Sequence, residues 1–353
     1  MNRLTFGALS RRVALPATAF AAIAAFAPAI AAAETVNIYS YRQPPLIEPV
    51  LNAFTAKTGI ETNVLFLDKG LDERIVAEGE NSPADVILAV DIARLSAIVD
   101  KGITQPVTDE AINAAIPAEY RDPAGNWFGL TKRGRVIYAS KDRVAQNEIT
   151  YEELADPKWK GKICIRSGQH DYNLALISSL IAHNGAEKTE AWLEGVKANL
   201  ARKPEGGDRD QAKAIFAGEC DIAIGNTYYI GEMLMNEKEP EQKDWAGAVK
   251  VLFPNAADRG THVNVSGMAL AKYAPNKDAG LKLMEFLAGP DAQKIYAEQV
   301  FEYPVDPNVK PSDLVAGWGA LKADALPLID IAKNRKAASE MVDRVAFDDG
   351  AGS

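Results

Sequence analysis

Cysteine and histidine are nearly missing from this 353-residue chain, with two of the first and three of the second. Two cysteines far apart make no C-x-x-C pair, and His170, His183 and His262 are too scattered to build a zinc site. No G-x-S-x-G elbow, phosphate-binding G-x-x-x-x-G-K-[ST] loop or H-E-x-x-H occurs, so the common routes to hydrolysis and nucleotide chemistry are absent. Nothing asks to be called an enzyme. Basic residues are also in short supply. Lys and Arg total 39 against 48 Asp and Glu, a net charge of −9 with no basic run. That excludes general binding to a nucleic-acid backbone.

What is present is ordinary for a globular protein: 47% hydrophobic and 25% charged residues. At roughly 150 residues per domain the length predicts two domains. The first segment stands apart. Arg3, Arg11 and Arg12 precede an uncharged stretch from Val13 to Ala33, and Ala31-Ala32-Ala33 forms a small-residue cleavage site before Glu34. Residues 1–33 therefore read as an export signal. The run Ser10-Arg11-Arg12-Val13-Ala14-Leu15 resembles its twin-arginine type. An exported chain can carry disulfides, and we expect one between Cys164 and Cys220, the alternative being two buried thiols.

After residue 33, short apolar runs alternate with helical patterns, as in βαβ units around a mostly parallel sheet. Strands are expected at 35–40, 60–66, 85–90, 162–165, 221–225 and 249–253. Helices are expected after residue 46 as far as Gly59, and at 173–183, 188–200 and 208–217. Two extended stretches, 129–140 and 263–271, look like crossings between lobes. Lobe one is then 34–132 plus about 265–353 with C-terminal helices, and lobe two is 133–264. An exported, two-lobed chain crossed twice suggests a clamshell closing on a ligand.

Gly225-Asn226-Thr227-Tyr228-Tyr229-Ile230-Gly231 lies between an apolar strand and a helical pattern. Adjacent tyrosines point about 100° apart in a helix and to opposite faces in a strand. Both can aim at one point where the backbone turns from one to the other. Taken alone, the pair reads better as two ordinary aromatics, one buried and one exposed. A second loop, Gly168-Gln169-His170-Asp171-Tyr172-Asn173, also joins a strand to a helix in the same lobe. Ligands collect at such carboxyl ends of strands. Phenol oxygens converging there suit a hard, highly charged cation. Ferric iron is the obvious choice, because it displaces a phenol proton that otherwise leaves near pH 10.

At these residues the sequence resembles the periplasmic ferric-iron-binding proteins of ABC transporters, the bacterial transferrin-like group within the class II periplasmic-binding-protein fold. Nearly all of the chain after residue 33 shares in it. The weaker matches include Val36-Asn37-Ile38-Tyr39-Ser40-Tyr41-Arg42-Gln43, Trp159-Lys160-Gly161-Lys162 and Gly207-Asp208-Arg209-Asp210-Gln211. Asn226-Thr227-Tyr228-Tyr229 with the upstream Tyr172 loop is the specific part. The resemblance implies an α/β, two-lobed protein with its ligand in the interlobe cleft. Tyr172, Tyr228 and Tyr229 would ligate Fe3+, and an inner-membrane ABC permease would receive it from a periplasmic monomer.

Relatives often add a His-Tyr pair after the first strand, where this chain has Gln43-Pro44-Pro45. Tyr41 is the substitute candidate, although strand alternation can turn it from the cleft. Tyr39 reads as a wall residue. The family holds a synergistic anion such as carbonate with an arginine from the first crossing. That implies Arg133 first, with Arg135 and Arg42 as alternatives and Gln43 as a further donor. For Arg135 a salt bridge is the better reading, and Asp91 reads as structural. The rival ligand is organic, a polyamine, thiamine or sugar phosphate, stacked on a cleft aromatic such as Trp127.

Overall fold

Apolar residues on both faces of each central strand mean that helices must cover the sheet from both sides. In β1 (Thr35–Ser40), Val36 and Ile38 join one apolar cluster and Tyr39 joins another on the opposite face. This computed structural model describes residues 1–2 and 34–351, so the expected signal segment lies outside the described residues except for its first two positions.

The chain continues through α1 (Glu48–Thr58), which buries Val50, Leu51 and Phe54. Gly59 ends this helix with a left-handed φ of 73°, and its N–H is bonded to the Thr55 carbonyl. Next come β2 (Glu61–Phe66), α2 (Leu71–Glu78), β3 (Val86–Ala89), α3 (Ile92–Asp100), β4 (Thr104–Gln105) and α4 (Glu110–Ala115). The thirteen-residue β5 (Phe128–Ser140) is followed by β6 (Ile163–Cys164), α5 (Asp171–Asn184), α6 (Ala186–Ala198) and α7 (Asp208–Phe216). Then follow β7 (Ile222–Asn226), α8 (Tyr228–Leu234), α9 (Glu241–Gly247) and β8 (Val249–Leu252). The chain ends with β9 (Val263–Ala271), α10 (Lys277–Ala288), α11 (Pro290–Gln299), β10 (Tyr303–Pro304), α12 (Asp313–Ala316), α13 (Leu328–Lys333) and α14 (Arg335–Arg344).

The strand order is β2-β1-β3-β9-β5-β7-β6, with β4 on β9 and both β8 and β10 on β5. The sheet is mixed rather than mostly parallel. The βαβ neighbours β1–β2, β1–β3 and β6–β7 are parallel, whereas β5 and β9 pair antiparallel with every partner. Alternating elements signal the crossovers. They do not announce that two long strands return between them. These strands are the two stretches expected to be extended, and they run side by side from Phe128↔Met268 to Gly134↔Val263. Beyond Gly134, β5 leaves β9 and pairs with β7 and β8, so one strand serves both halves of the sheet.

Each half carries two cores. In the first half α1, α10 and α11 cover one face, with Phe54, Leu283 and Tyr296 against Val36. Helices α2 and α3 cover the other, with Leu71 and Leu95 against Ile87. In the second half α5, α6 and α14 pack on Ile137 and Ile224, while α7 to α9 pack on Tyr138 and Ala223. The position of α14 departs from the sequence reading, which kept the C-terminal helices with lobe one. Its buried Ala338, Met341, Val342 and Val345 form a stripe at helical spacing, and that stripe covers Leu174 and Ile177 of α5. Helix α13 spans both halves, with Leu328 and Ile331 packed among Ile92 of α3 and Ala175 of α5. The expected disulfide is present. Cys164 and Cys220 are bonded with 5.9 Å between their Cα atoms. Among the described residues no helix is long and apolar enough to cross a membrane.

Candidate metal site

Strands β6 and β7 are parallel neighbours, Ile163 facing Ile222 and Cys164 facing Ala223. The segments that leave their carboxyl ends therefore start on the same edge of the sheet. After β7 the chain turns at Thr227 straight into α8, whose first two residues are Tyr228 and Tyr229. After β6 it reaches His170, whose Nδ1 accepts the Tyr172 N–H at 3.2 Å and caps α5. The Tyr172 hydroxyl lies 3.2 Å from that of Tyr228. The rings of Tyr228 and Tyr229 are tilted by 38° with centroids 4.2 Å apart, and both residues are buried. The three tyrosines singled out in the sequence thus meet at one place. Among the described residues no group of three His, Cys, Asp or Glu side chains is arranged to hold a metal.

Two glycines make this junction possible. The Tyr138 hydroxyl donates to the Asn226 carbonyl by passing beside Gly225, where a Cβ would lie 2.3 Å from the ring. At Gly231 a Cβ would fall 2.4 Å from the ring of Phe301, which packs with Tyr228, Tyr229 and Tyr303.

The surrounding charges are chiefly guanidinium groups. Arg166, Arg133 and Arg135 stand 5.3, 5.4 and 5.8 Å from the Tyr172 ring centroid, and Arg209 stands 4.6 Å from that of Tyr229. Burial raises the phenols of Tyr228 and Tyr229 well above the ordinary range, and the nearby Tyr172 adds to both shifts. Arg133 beside Tyr228 and Arg166 beside Tyr229 pull the other way. The neutral phenol is therefore the resting form, and the phenolate is favoured only when another positive charge arrives.

Asp208 organises the arginines. Its carboxylate accepts from Arg135 at 2.6 Å, Arg166 at 3.2 Å and the Asn226 N–H at 2.8 Å. Burial would raise this carboxyl, but Arg135 and Arg166 outweigh it and hold it below the usual range. Arg135 also donates to Asn173 and Asn226, at 2.7 and 3.1 Å. It is occupied in a buried salt bridge, the reading preferred for it above.

The long strand β5 and the first half contribute less directly. Arg133 donates through Nη2 to the Val90 carbonyl, while its buried Nη1 has no hydrogen-bond partner. Arg42 is held by Glu302 at 2.9 Å, with both groups buried and Thr131 bonded to the same carboxylate at 2.7 Å. Gln43 is exposed. Tyr41 turns away from the tyrosine cluster. Its hydroxyl donates to Asp72 of α2, in register with Tyr39, which bonds Glu78 at 3.0 Å. Strand alternation puts both on the α2 side of the sheet. Asp91 caps α3 by accepting the Arg94 N–H at 2.8 Å. Trp127 is buried in the first-half core with Leu95 and Ile98.

Sequence reasoning gave no role to Arg166, Asp208, Arg209 or Glu232. Glu232 follows Tyr228 by four residues, a helical spacing that puts both on one face of α8. Its carboxylate pairs with Arg209, and burial pushes it up to about 7 against the opposing pull of that arginine. The run Gly207-Asp208-Arg209 was visible as a family phrase, and the i, i+4 spacing was the signal for Glu232.

The description of bacterial extracellular solute-binding proteins matches residues 81–319. Iron uptake protein A1 of Synechocystis sp. is 46% identical over 298 residues, covering 84% of this chain and 82% of that protein. The crystal structure of apo ferric ion-binding protein A from Pasteurella haemolytica aligns with a TM-score of 0.86 and 52% identity, covering 90% of this chain and 99% of that one. A Trichodesmium protein solved with iron and citrate ligands aligns with a TM-score of 0.82 and 42% identity, covering 89% and 99%. These relatives share the fold described above, and they are uptake and binding proteins rather than enzymes.

Proposed function

The chain belongs to the family of bacterial extracellular solute-binding proteins, and from that premise we propose that it captures ferric iron through the phenolates of Tyr172, Tyr228 and Tyr229. The observation that carries this reading is the convergence of three phenols from two strand ends, two of their hydroxyls 3.2 Å apart. That supports one shared cation. A hard trivalent ion repels the phenol protons and makes up for the burial that otherwise keeps them bound. Three phenolates balance its charge, and the surrounding arginines offset the charge of any further anion.

An anion completes the coordination in this reading. Arg133 offers its partnerless Nη1 to a carbonate, or to a carboxylate of the kind bound in the Trichodesmium structure. The first half, 34–132 with about 265–334, then closes over the ion held by the second half. Closure keeps water from hydrolysing it. The protein works as a periplasmic monomer, exported by its first 33 residues, and hands the ion to an inner-membrane ABC permease.

The test is a visible absorption spectrum of the processed protein before and after ferric iron with bicarbonate. A broad orange-red band that a chelator bleaches and that fades in Tyr228→Phe supports phenolate-to-iron charge transfer. A colourless protein that takes up no ferric iron rejects it.

A further inference from the structure

Tyr41 sits away from the three phenols, yet its ring bears on them through one other residue. The Arg94 guanidinium lies 4.1 Å from the Tyr41 ring centroid. From this platform it reaches the second half of the molecule. Its Nε and Nη2 stand 3.0 and 2.8 Å from Oδ2 of Asp171, and Nη2 also donates to the Asp68 carbonyl at 3.0 Å. Asp171 opens α5 and immediately precedes Tyr172. Its other oxygen, Oδ1, takes Arg335 of α14 at 2.5 Å.

The two ends of this contact are rooted chiefly in different cores, which α13 bridges through Ile92 of α3 and Ala175 of α5. Helix α3 is rooted among Tyr41, Ile87 and Val265 by Ile92, Leu95 and Ile98. Helix α5 is rooted against Ile137 and Ile224 by Leu174, Leu176 and Ile177. The side chains of Arg94 and Asp171 are only 22% and 14% exposed. The pair is therefore less screened than a surface ion pair, whose contribution is small.

We propose that Arg94 is a positioning residue that retains the bound metal: braced on the Tyr41 ring, it clamps Asp171 and so ties the first half of the molecule to the helix end that carries Tyr172. The inference rests on the ferric-iron reading above. The first half then supplies a tether for a ligand-bearing helix, and the ion leaves when the tether opens. Arg94 is no part of the proposed ligand set of Tyr172, Tyr228 and Tyr229, so losing it changes the release rate and leaves those ligands in place.

The full processed chain, loaded with ferric iron and bicarbonate, is mixed with a strong chelator, and fading of the visible band gives the release rate. Arg94→Gln is expected to release iron about tenfold faster with its band maximum unmoved, and Arg94→Lys to recover part of the loss. Asp171→Asn should accelerate release similarly, and the double variant should be no faster than the faster single one. Asp171→Asn also serves if Arg94→Gln does not fold. Tyr41→Phe keeps the platform and leaves the band in place.

Release within twofold of the parent in both single variants overturns the tether. So does independent addition of the two effects, or a shifted band in Arg94→Gln. A parent protein with no ferric band would instead reject the ferric-iron reading itself.

Discussion

The hydroxyls of Tyr172 and Tyr228 lie 3.2 Å apart although the residues are separated by 56 positions in the chain. Two neutral phenols at that distance share one hydrogen bond. Two phenolates there would repel each other strongly unless a cation lay between them.

Tyr172→Phe removes one oxygen and keeps the ring among Arg133, Arg135 and Arg166. Its ferric affinity is expected to fall by more than about 100-fold, beyond the 10–100-fold typical of residues one shell out. Chelator competition measures this, and a loss below tenfold would remove Tyr172 from the ligand set.

Proton release gives a second check. The phenols of Tyr228 and Tyr229 are raised above their ordinary range by burial, so under the proposed ligation each would arrive neutral and lose its proton on binding. Affinity therefore falls as pH drops. With two or three protons released, it falls by about 10²–10³ per pH unit. Competition titrations between pH 6 and 7, corrected for the chelator's own protonation, should give that slope. A slope of one decade or less contradicts coordination by several phenolates.

Glu232 makes the iron-free protein pH-sensitive in its own right. Burial lifts its carboxyl from 4.5 to about 7, so between those values the native state keeps a proton that the unfolded chain has released. Its contribution to stability is complete below about pH 4.5 and declines as pH rises to about 7. Glu232→Gln removes that decline. The melting temperature of the variant, relative to the parent, should be higher at pH 8 than at pH 5, and equal differences at the two would refute the assignment.

The Cys164–Cys220 bond closes a loop with a sequence separation of 56 residues. For a loop of that length the stabilisation is about 4 kcal/mol. Denaturant unfolding with and without reductant measures it, and a change below about 1 kcal/mol would mean that packing alone holds β6 beside β7.

The sequence was most readable where local signals decide. The strand at 35–40, the helix stop at Gly59 and the two strand-to-helix turns carrying tyrosines follow from side-chain period and turn residues. The unread parts depend on which element lies beside which. The stripe on α14 says that something covers it, and only the folded chain says that α5 does. Arg94 and Asp171 are 77 residues apart, and nothing local to either names the other. Tyr41 shows both sides: alternation warned that it would turn away, and its role beneath Arg94 needed the fold.

The disulfide also dates its own formation. Cys164 is wholly buried and Cys220 is 2% exposed, sealed by Ile215 and Ala212 of α7. An oxidant cannot reach sulfur atoms in that position once the second half has condensed. The bond therefore forms either before α7 closes over the two strands or in a local opening of this part of the fold. A chain that crossed a membrane already folded and reduced would arrive with both thiols out of reach, and would have to open again to acquire the bond.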